Sequence, residues 1–149
     1  MSVEAFPVPE PTPETRPYWD AAARRELVHL RCGACGLGTQ HPRAICRCGS
    51  TDLGWVRCSG RARLDSYVIV HRPEPVFAAE APFVLAVVEL EEGVRMTTRI
   101  VEVAPEPAAL PLDLPLELRW LSRGEVNLPV FAPAGPAGPA VSTAPAVPA

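Results

Sequence analysis

Lysine is missing altogether: all 14 basic residues are arginine. Chemistry that needs a lysine amine, such as a Schiff base or a phosphate-loop lysine, is therefore excluded. No apolar run approaches the roughly 18 residues of a membrane span, so no membrane association is expected. Residues 1–15 carry neither a basic stretch nor an apolar core, and their only charges are Glu4, Glu10 and Glu14. They read as neither a secretory signal nor a transit peptide, which points to the cytoplasm. Gly-x-Ser-x-Gly, a glycine-rich phosphate loop and a His-Glu pair are all absent. The three histidines are His29, His41 and His71. His29 and His41 are expected at the surface, and Glu91-Glu92 in a solvated turn, so nothing assembles a catalytic site.

What is present is proline, with 19 residues, and glycine, with 10. Together they make about one residue in five, below the level of a low-complexity chain. The charge is polarised. Arg24 to Arg63 holds eight arginines against Glu26 and Asp52, whereas Leu64 to Phe131 holds five arginines against eleven acids. The basic segment reads either as solvated surface or as a face for an anion or acidic partner. Between Arg16 and Phe131 the charges cancel, which argues against general nucleic-acid binding.

Residues 1–15 are expected to form a flexible, proline-rich tail, because Pro7, Pro9, Pro11 and Pro13 keep the chain extended. Residues 132–149 contain only Ala, Pro, Gly, Ser, Thr and Val, and a disordered tail is expected there. Thr15-Arg16-Pro17 predicts a helix start capped by Thr15, with Tyr18/Ala22 and Trp19/Ala23 as i,i+4 pairs. The two aromatics need burial, either on the chain's own body or on another protein. A lead-in strand, Glu26 to Arg31, completes a unit at 16–31. A cysteine-bearing unit follows at 32–58, closed by a strand from Trp55 to Cys58.

From residue 59 to 131 the pattern is that of strands. Arg61 to His71 alternates, with Ala62, Leu64, Ser66, Val68 and Val70 on one side. Phe83 to Leu90 is a near-continuous apolar strand, and Glu91-Glu92-Gly93 a hairpin turn. Val94 to Val103, Leu116 to Leu121 and Val126 to Phe131 complete the set. Five strands without intervening helices predict a small β-barrel. Its core is thin for independent stability, so help from a metal or partner is expected.

Cysteines stand at 32, 35, 46, 48 and 58. Cys32-Gly33-Ala34-Cys35-Gly36 is a knuckle that aims two thiolates at one point. Cys46-Arg47-Cys48-Gly49 is a shorter CxC version with a tighter bite. Two such knuckles on adjoining hairpins predict a tetrahedral structural Zn2+ site at Cys32, Cys35, Cys46 and Cys48. Disulfides or free thiols are the alternative, and the zinc reading is favoured because no secretion signal is seen. Cys58 reads as a packed strand residue.

The stretches RPYWDAAARRELVHLRCGACG, HPRAICRCGSTDLGWVRCSGRARLDSYVIVHRP, EAPFVLAVVELEEGVRMTTRIV and LPVFAP resemble the OB-fold acyl-CoA-associated zinc-ribbon proteins long called domain of unknown function 35 (DUF35). The resemblance runs from about Arg16 to Pro133. It departs at the CxC half-site and at Asp113, near where the family often has Gly, which predicts a loop of different shape. The resemblance implies a mainly β fold: an N-terminal helix, a zinc ribbon with rubredoxin-like knuckles, then an OB-fold β-barrel. It also implies a non-catalytic small subunit of a thiolase-fold, SCP2-thiolase-like enzyme acting on acyl-CoA, such as a retro-aldolase or thiolase of steroid side-chain degradation. The implied partner is that enzyme, in a heterotetramer of two plus two, docked through Tyr18 and Trp19 on the helix. Some relatives are fused or bound to hot-dog-fold hydratases. The alternatives are a subunit of a thiolase-like acyltransferase of polyketide or aromatic metabolism, or a stand-alone acyl-CoA-binding module.

CoA brings phosphates, an adenine and an acyl chain, which suit arginine forks and aromatic faces. His71 and Arg72 end the first barrel strand, and Phe77 is expected to be exposed in the loop that follows. Arg95 and Arg99 point to one side of a strand. These five residues are the expected acyl-CoA or partner edge; a plain barrel rim with solvated arginines is the competing reading.

Overall fold

The computed structural model describes residues 6–135. Of the tails expected at 1–15 and 132–149, residues 1–5 and 136–149 lie outside the described residues. The chain folds as α1 (Arg16–Ala23), β1 (Val28–Cys32), β2 (Gly38–Thr39), β3 (Leu53–Arg57), β4 (Arg61–Val70), β5 (Phe83–Leu90), β6 (Arg95–Ile100), β7 (Pro115–Arg123) and β8 (Val126–Pro133). Two short 3-10 turns, Pro75–Glu80 and Pro107–Ala109, sit in the long connections. β2-β1-β3 form a three-stranded antiparallel ribbon, and β4-β5-β6-β8-β7 a closed barrel. The architecture is therefore mainly β, with one N-terminal helix, a cysteine-bearing ribbon and an OB-like barrel.

Pro17 stands in the first turn of α1, where its missing N–H costs nothing. Thr15 does not cap it. Its backbone is already helical and its hydroxyl makes no cap bond; instead Thr15 Oγ1 accepts from the Thr12 amide at 2.8 Å. The preceding turn has taken the side chain that the helix would have used. Ala21 and Ala22 are buried and α1 lies against β8, where Asn127 Nδ2 donates to the Ala22 carbonyl at 3.2 Å.

The alternation predicted for β4 holds only halfway. Ala62 and Leu64 point into the core, but from Ser66 onward the faces exchange: Tyr67 and Ile69 pack on the core while Val68 is 57% exposed. The cause is a register shift against β5 between Leu64 and Ser66, a bulge that moves every later side chain to the opposite face. Leu64 is pinned there from a loop, its carbonyl accepting from the Asp113 amide at 2.9 Å and its amide donating to the Leu114 carbonyl at 3.1 Å. Asp113 holds φ +63, the left-handed conformation that glycine adopts freely and aspartate tolerates.

The barrel core is built on Leu64, Val88, Leu90, Leu116 and Phe131. The body does not stop at Phe131, as composition suggested. β8 runs through Pro133, and Ala132 is completely buried, because its small side chain faces the core while its backbone pairs with Glu117. The barrel closes where β6 meets β8 in parallel, with the single pairing Ile100 to Phe131. There Val101 N donates to the Phe131 carbonyl at 2.8 Å and Thr98 Oγ1 to the Pro129 carbonyl at 2.9 Å.

Candidate metal centre and ligand edge

The two knuckles flank the ribbon, one after β1 and one before β3. In the first, the Gly36 amide donates to the Cys32 carbonyl at 2.9 Å; in the shorter second, the Gly49 amide donates to the Cys46 carbonyl, also at 2.9 Å. The CxC knuckle thus closes its turn one residue earlier. Gly36 and Gly49 take φ +74 and +89, which a side chain would strain. The result is one cluster: all four sulfurs lie within 4.8 Å of one another. Cys32 Sγ is 3.7 Å from Cys48 Sγ, and Cys35 Sγ is 3.6 Å from Cys46 Sγ.

These separations are far beyond a sulfur–sulfur bond of about 2.05 Å, and all five cysteines are free thiols. They match the edge of a tetrahedron whose metal–sulfur bonds are about 2.3 Å, roughly 3.8 Å. The residues fit a metal ion, and the missing residue in the CxC does not prevent it. The two thiols of the first knuckle differ in acidity. The amide of Cys35 helps hold the Cys32 thiol down at about 6. The Leu37 amide favours the Cys35 thiolate, but the neighbouring sulfurs outweigh it and push that thiol up to about 12. A bound dication favours the thiolate form of its cysteine ligands.

A second cysteine pairing was not foreseen. His29, expected at the surface, is 2% exposed, and its Nδ1 lies 3.3 Å from Cys58 Sγ. β1 puts it there because its inner face packs on the barrel hairpin, close to Val94 and beneath Gly38, where a methyl group would meet Val94 at 2.5 Å. A Cys–His pair can be a nucleophile and its base, but this one is not poised for it. Burial depresses the His29 pKa, and burial strongly raises that of Cys58, so the thiol stays neutral and inert. The pair joins β1 to the end of β3 at the base of the ribbon, and beside it Ser59 N donates to Glu92 Oε1 of the barrel hairpin at 2.6 Å.

The aromatics of α1 divide. Tyr18 packs on the barrel core and its ring lies 6.3 Å from Trp55; burial pushes its hydroxyl up to about 12, against the opposing effect of Gln40. The chain's own body takes it. Trp19 stands edge-on to Tyr18 at 5.0 Å and lines a groove of about 410 Å3 with His41, Pro42, Arg95 and Thr97.

The five residues of the expected edge are not all together. Arg95 belongs to the Trp19 groove and pairs with Asp65 and Glu89, both at 3.2 Å. Arg99, on the same side of β6, pairs with Glu80 at 2.6 Å and lies 3.9 Å over the Phe83 ring. His71 and Arg72 are exposed at the start of the β4–β5 loop. Phe77 is not exposed as expected. It is half-buried against Phe6, with ring centres 5.6 Å apart, because the N-terminal segment folds back over it. Two participants were missed in the sequence: Glu80, which also binds Arg123, and Arg123 itself, whose guanidinium lies 3.8 Å over the Phe6 ring. Burial works to raise the Glu80 pKa, but Arg123 and Arg99 outweigh it and hold the carboxyl below its ordinary value.

Residues 55–121 match the family model described as the C-terminal OB-fold domain of ChsH2. A solved structure, "Ltp2-ChsH2(DUF35) aldolase", contains a chain 37% identical that superposes with a TM-score of 0.75 over 85% of this chain and 98% of its own. This chain belongs to the DUF35 family. It is also similar to a probable enoyl-CoA hydratase alpha subunit of Thermomonospora curvata, 41% identical over 80% of this chain and 37% of that protein. A third relative is the 3-oxo-4,17-pregnadiene-20-carboxyl-CoA hydratase alpha subunit of Mycobacterium tuberculosis, 29% identical over 89% of this chain and 42% of that protein. The chain therefore spans about two fifths of the hydratase subunits that it matches.

Proposed function

We propose that this chain is the non-catalytic accessory subunit of a thiolase-fold enzyme that acts on acyl-CoA, cleaving or forming a carbon–carbon bond on a steroid side chain. The carrying observation is its likeness along 98% of a chain in an aldolase described as Ltp2-ChsH2(DUF35). The steroid assignment draws support from the pregnadiene carboxyl-CoA substrate in the name of the mycobacterial relative. The inert burial of the Cys58–His29 pair agrees with a catalytic centre housed in the partner. In this reading zinc fills the four-cysteine site as a structural ion. Trp19, with its groove, is the docking element of the helix, and His71, Arg72, Phe77 and Arg99 face the entering thioester. The complex is taken to be two plus two, in the cytoplasm.

Two relatives carry hydratase names, so a hydratase partner is the second reading. Co-expression with candidate thiolase-like and hydratase proteins from neighbouring genes, followed by native mass spectrometry, decides. A stable complex with the thiolase-like protein, carrying aldolase or thiolase activity, is the expected outcome. A complex with the hydratase alone transfers the role to hydration, and a monomer that engages neither ends the proposal.

A further inference from the structure

The four sulfurs of the ribbon are not equivalent. Each knuckle offers one buried cysteine, Cys32 or Cys46, and one exposed cysteine, Cys35 or Cys48. Two close approaches run across the knuckles. Buried Cys32 has its sulfur 3.7 Å from that of exposed Cys48, and buried Cys46 has its sulfur 3.6 Å from that of exposed Cys35. Each sulfur that an outside reagent can reach therefore has a sheltered sulfur of the other knuckle as its neighbour. To reach the bonding length of about 2.05 Å, each pair has about 1.6 Å to close.

The surroundings favour attack on a peroxide. Arg31 Nη2 stands 3.7 Å from where a methyl group on Gly36 would lie, beside the first knuckle. Arg47 is the middle residue of the second. Both arginines are exposed, and neither has an ion pair among the described residues. Positive charge beside a cysteine favours its nucleophilic thiolate form. The fifth cysteine is set apart: Cys58 is buried against His29, its sulfur 3.3 Å from Nδ1.

We propose that the four-cysteine centre is a peroxide-sensitive switch, in which oxidation joins Cys32 to Cys48 and Cys35 to Cys46 and releases the metal. The assignment rests on the zinc reading above and adds a reaction to it. The Cys48 thiolate attacks one peroxide oxygen and the O–O bond breaks. The sulfur becomes a sulfenic acid, and the other oxygen takes a proton and leaves as water. The Cys32 thiolate then attacks the sulfenic sulfur, forms the S–S bond and expels hydroxide, which a second proton turns into water. Cys35 and Cys46 react in the same way. Each pair of thiolates thus gives two electrons to one peroxide, and the cation keeps its charge. Metal is held by thiolates, so it leaves as the disulfides form. Because both bonds span the knuckles, they hold the two halves of the ribbon together in its place. Cys32, Gly33 and Gly36 also line a groove of about 780 Å3 with Arg16 and Asp20 of α1, so the oxidised form presents a different wall to the helix.

The test treats the zinc-loaded full chain with hydrogen peroxide. A chromogenic chelator reports free zinc, and tandem mass spectrometry of unreduced tryptic peptides maps the bonds after free thiols are blocked. Trypsin cuts after Arg31, Arg43 and Arg47 and so separates Cys46 from Cys48; fragment ions of the peptide from Cys32 to Arg43 tell Cys32 from Cys35. About one zinc per chain is expected to appear for about two peroxides consumed. Cys32–Cys48 and Cys35–Cys46 are the expected bonds, with Cys58 still a free thiol, and dithiothreitol should restore both the thiols and zinc uptake. Disulfides within either knuckle as the main products, sulfinic acids in place of disulfides, or zinc retained once the disulfides have formed overturns the proposal. Elemental analysis before oxidation reads the metal separately: a chain without zinc ends the zinc reading and the release with it, while the disulfide map of that same chain still decides the pairing.

Discussion

His29 shows how one side chain can make folding depend on pH. Burial lowers its pKa; Arg31 adds to that and Glu92 opposes it. The unfolded chain therefore takes up a proton near the ordinary value of 6.5 that the folded chain refuses until lower pH. The neutral ring's contribution to stability is complete above that ordinary value and is lost as pH falls through the window beneath it. Thermal melts should show Tm declining as pH drops below about 6.5. In His29→Gln the decline should be shallower across that window, even if the variant is less stable throughout. Glu80 acts lower: its depressed pKa means its ion pairs are lost only as pH falls through the carboxylate range.

At the level of the element, β4 makes the sharpest claim. The bulge puts Val68 outside and Ile69 inside. Val68→Asp should change stability by no more than about 0.5 kcal/mol, while Ile69→Asp, which places an unpaired carboxylate against the core, should cost about 2 kcal/mol or more. Urea unfolding of the two variants checks this, and the simple alternation would have predicted the reverse. The strands themselves were legible because apolar runs and turn residues marked them. The exchange of faces was not: Tyr67, Val68, Ile69 and Val70 are all apolar or aromatic, so a period of two offers no preferred phase. The four cysteines were legible from spacing alone. The Arg123–Phe6 contact was not, since it joins a lone aromatic in a proline-rich segment to an arginine more than a hundred residues away, and only closure of the barrel brings them together.

At the scale of the whole molecule, ribbon and barrel form one body. Ser59 N donates to Glu92 at the barrel hairpin, Gly38 of the ribbon lies against Val94, and Leu27 and Cys58 at the base of the ribbon pack into the barrel core. A metal lost from the ribbon should therefore weaken the entire fold. Elemental analysis should find about one zinc per chain, falling below about a tenth in Cys48→Ser. Chelation should lower the Tm by about 5 °C or more in a single transition, not only melt a peripheral finger.

The seam between β6 and β8 has a different bearing. Four of the five strand junctions are antiparallel ladders of three to eight pairings, whereas this one rests on a single parallel pairing and the Thr98 hydroxyl. The barrel is thus a rolled sheet held by a clasp. Thermal breathing concentrates where the clasp is narrowest, and α1, which lies along β8 with its last turn bonded by Asn127, acts as a splint along one lip of it. A protein that grips the helix would stiffen the clasp from outside and quiet the barrel without touching its core.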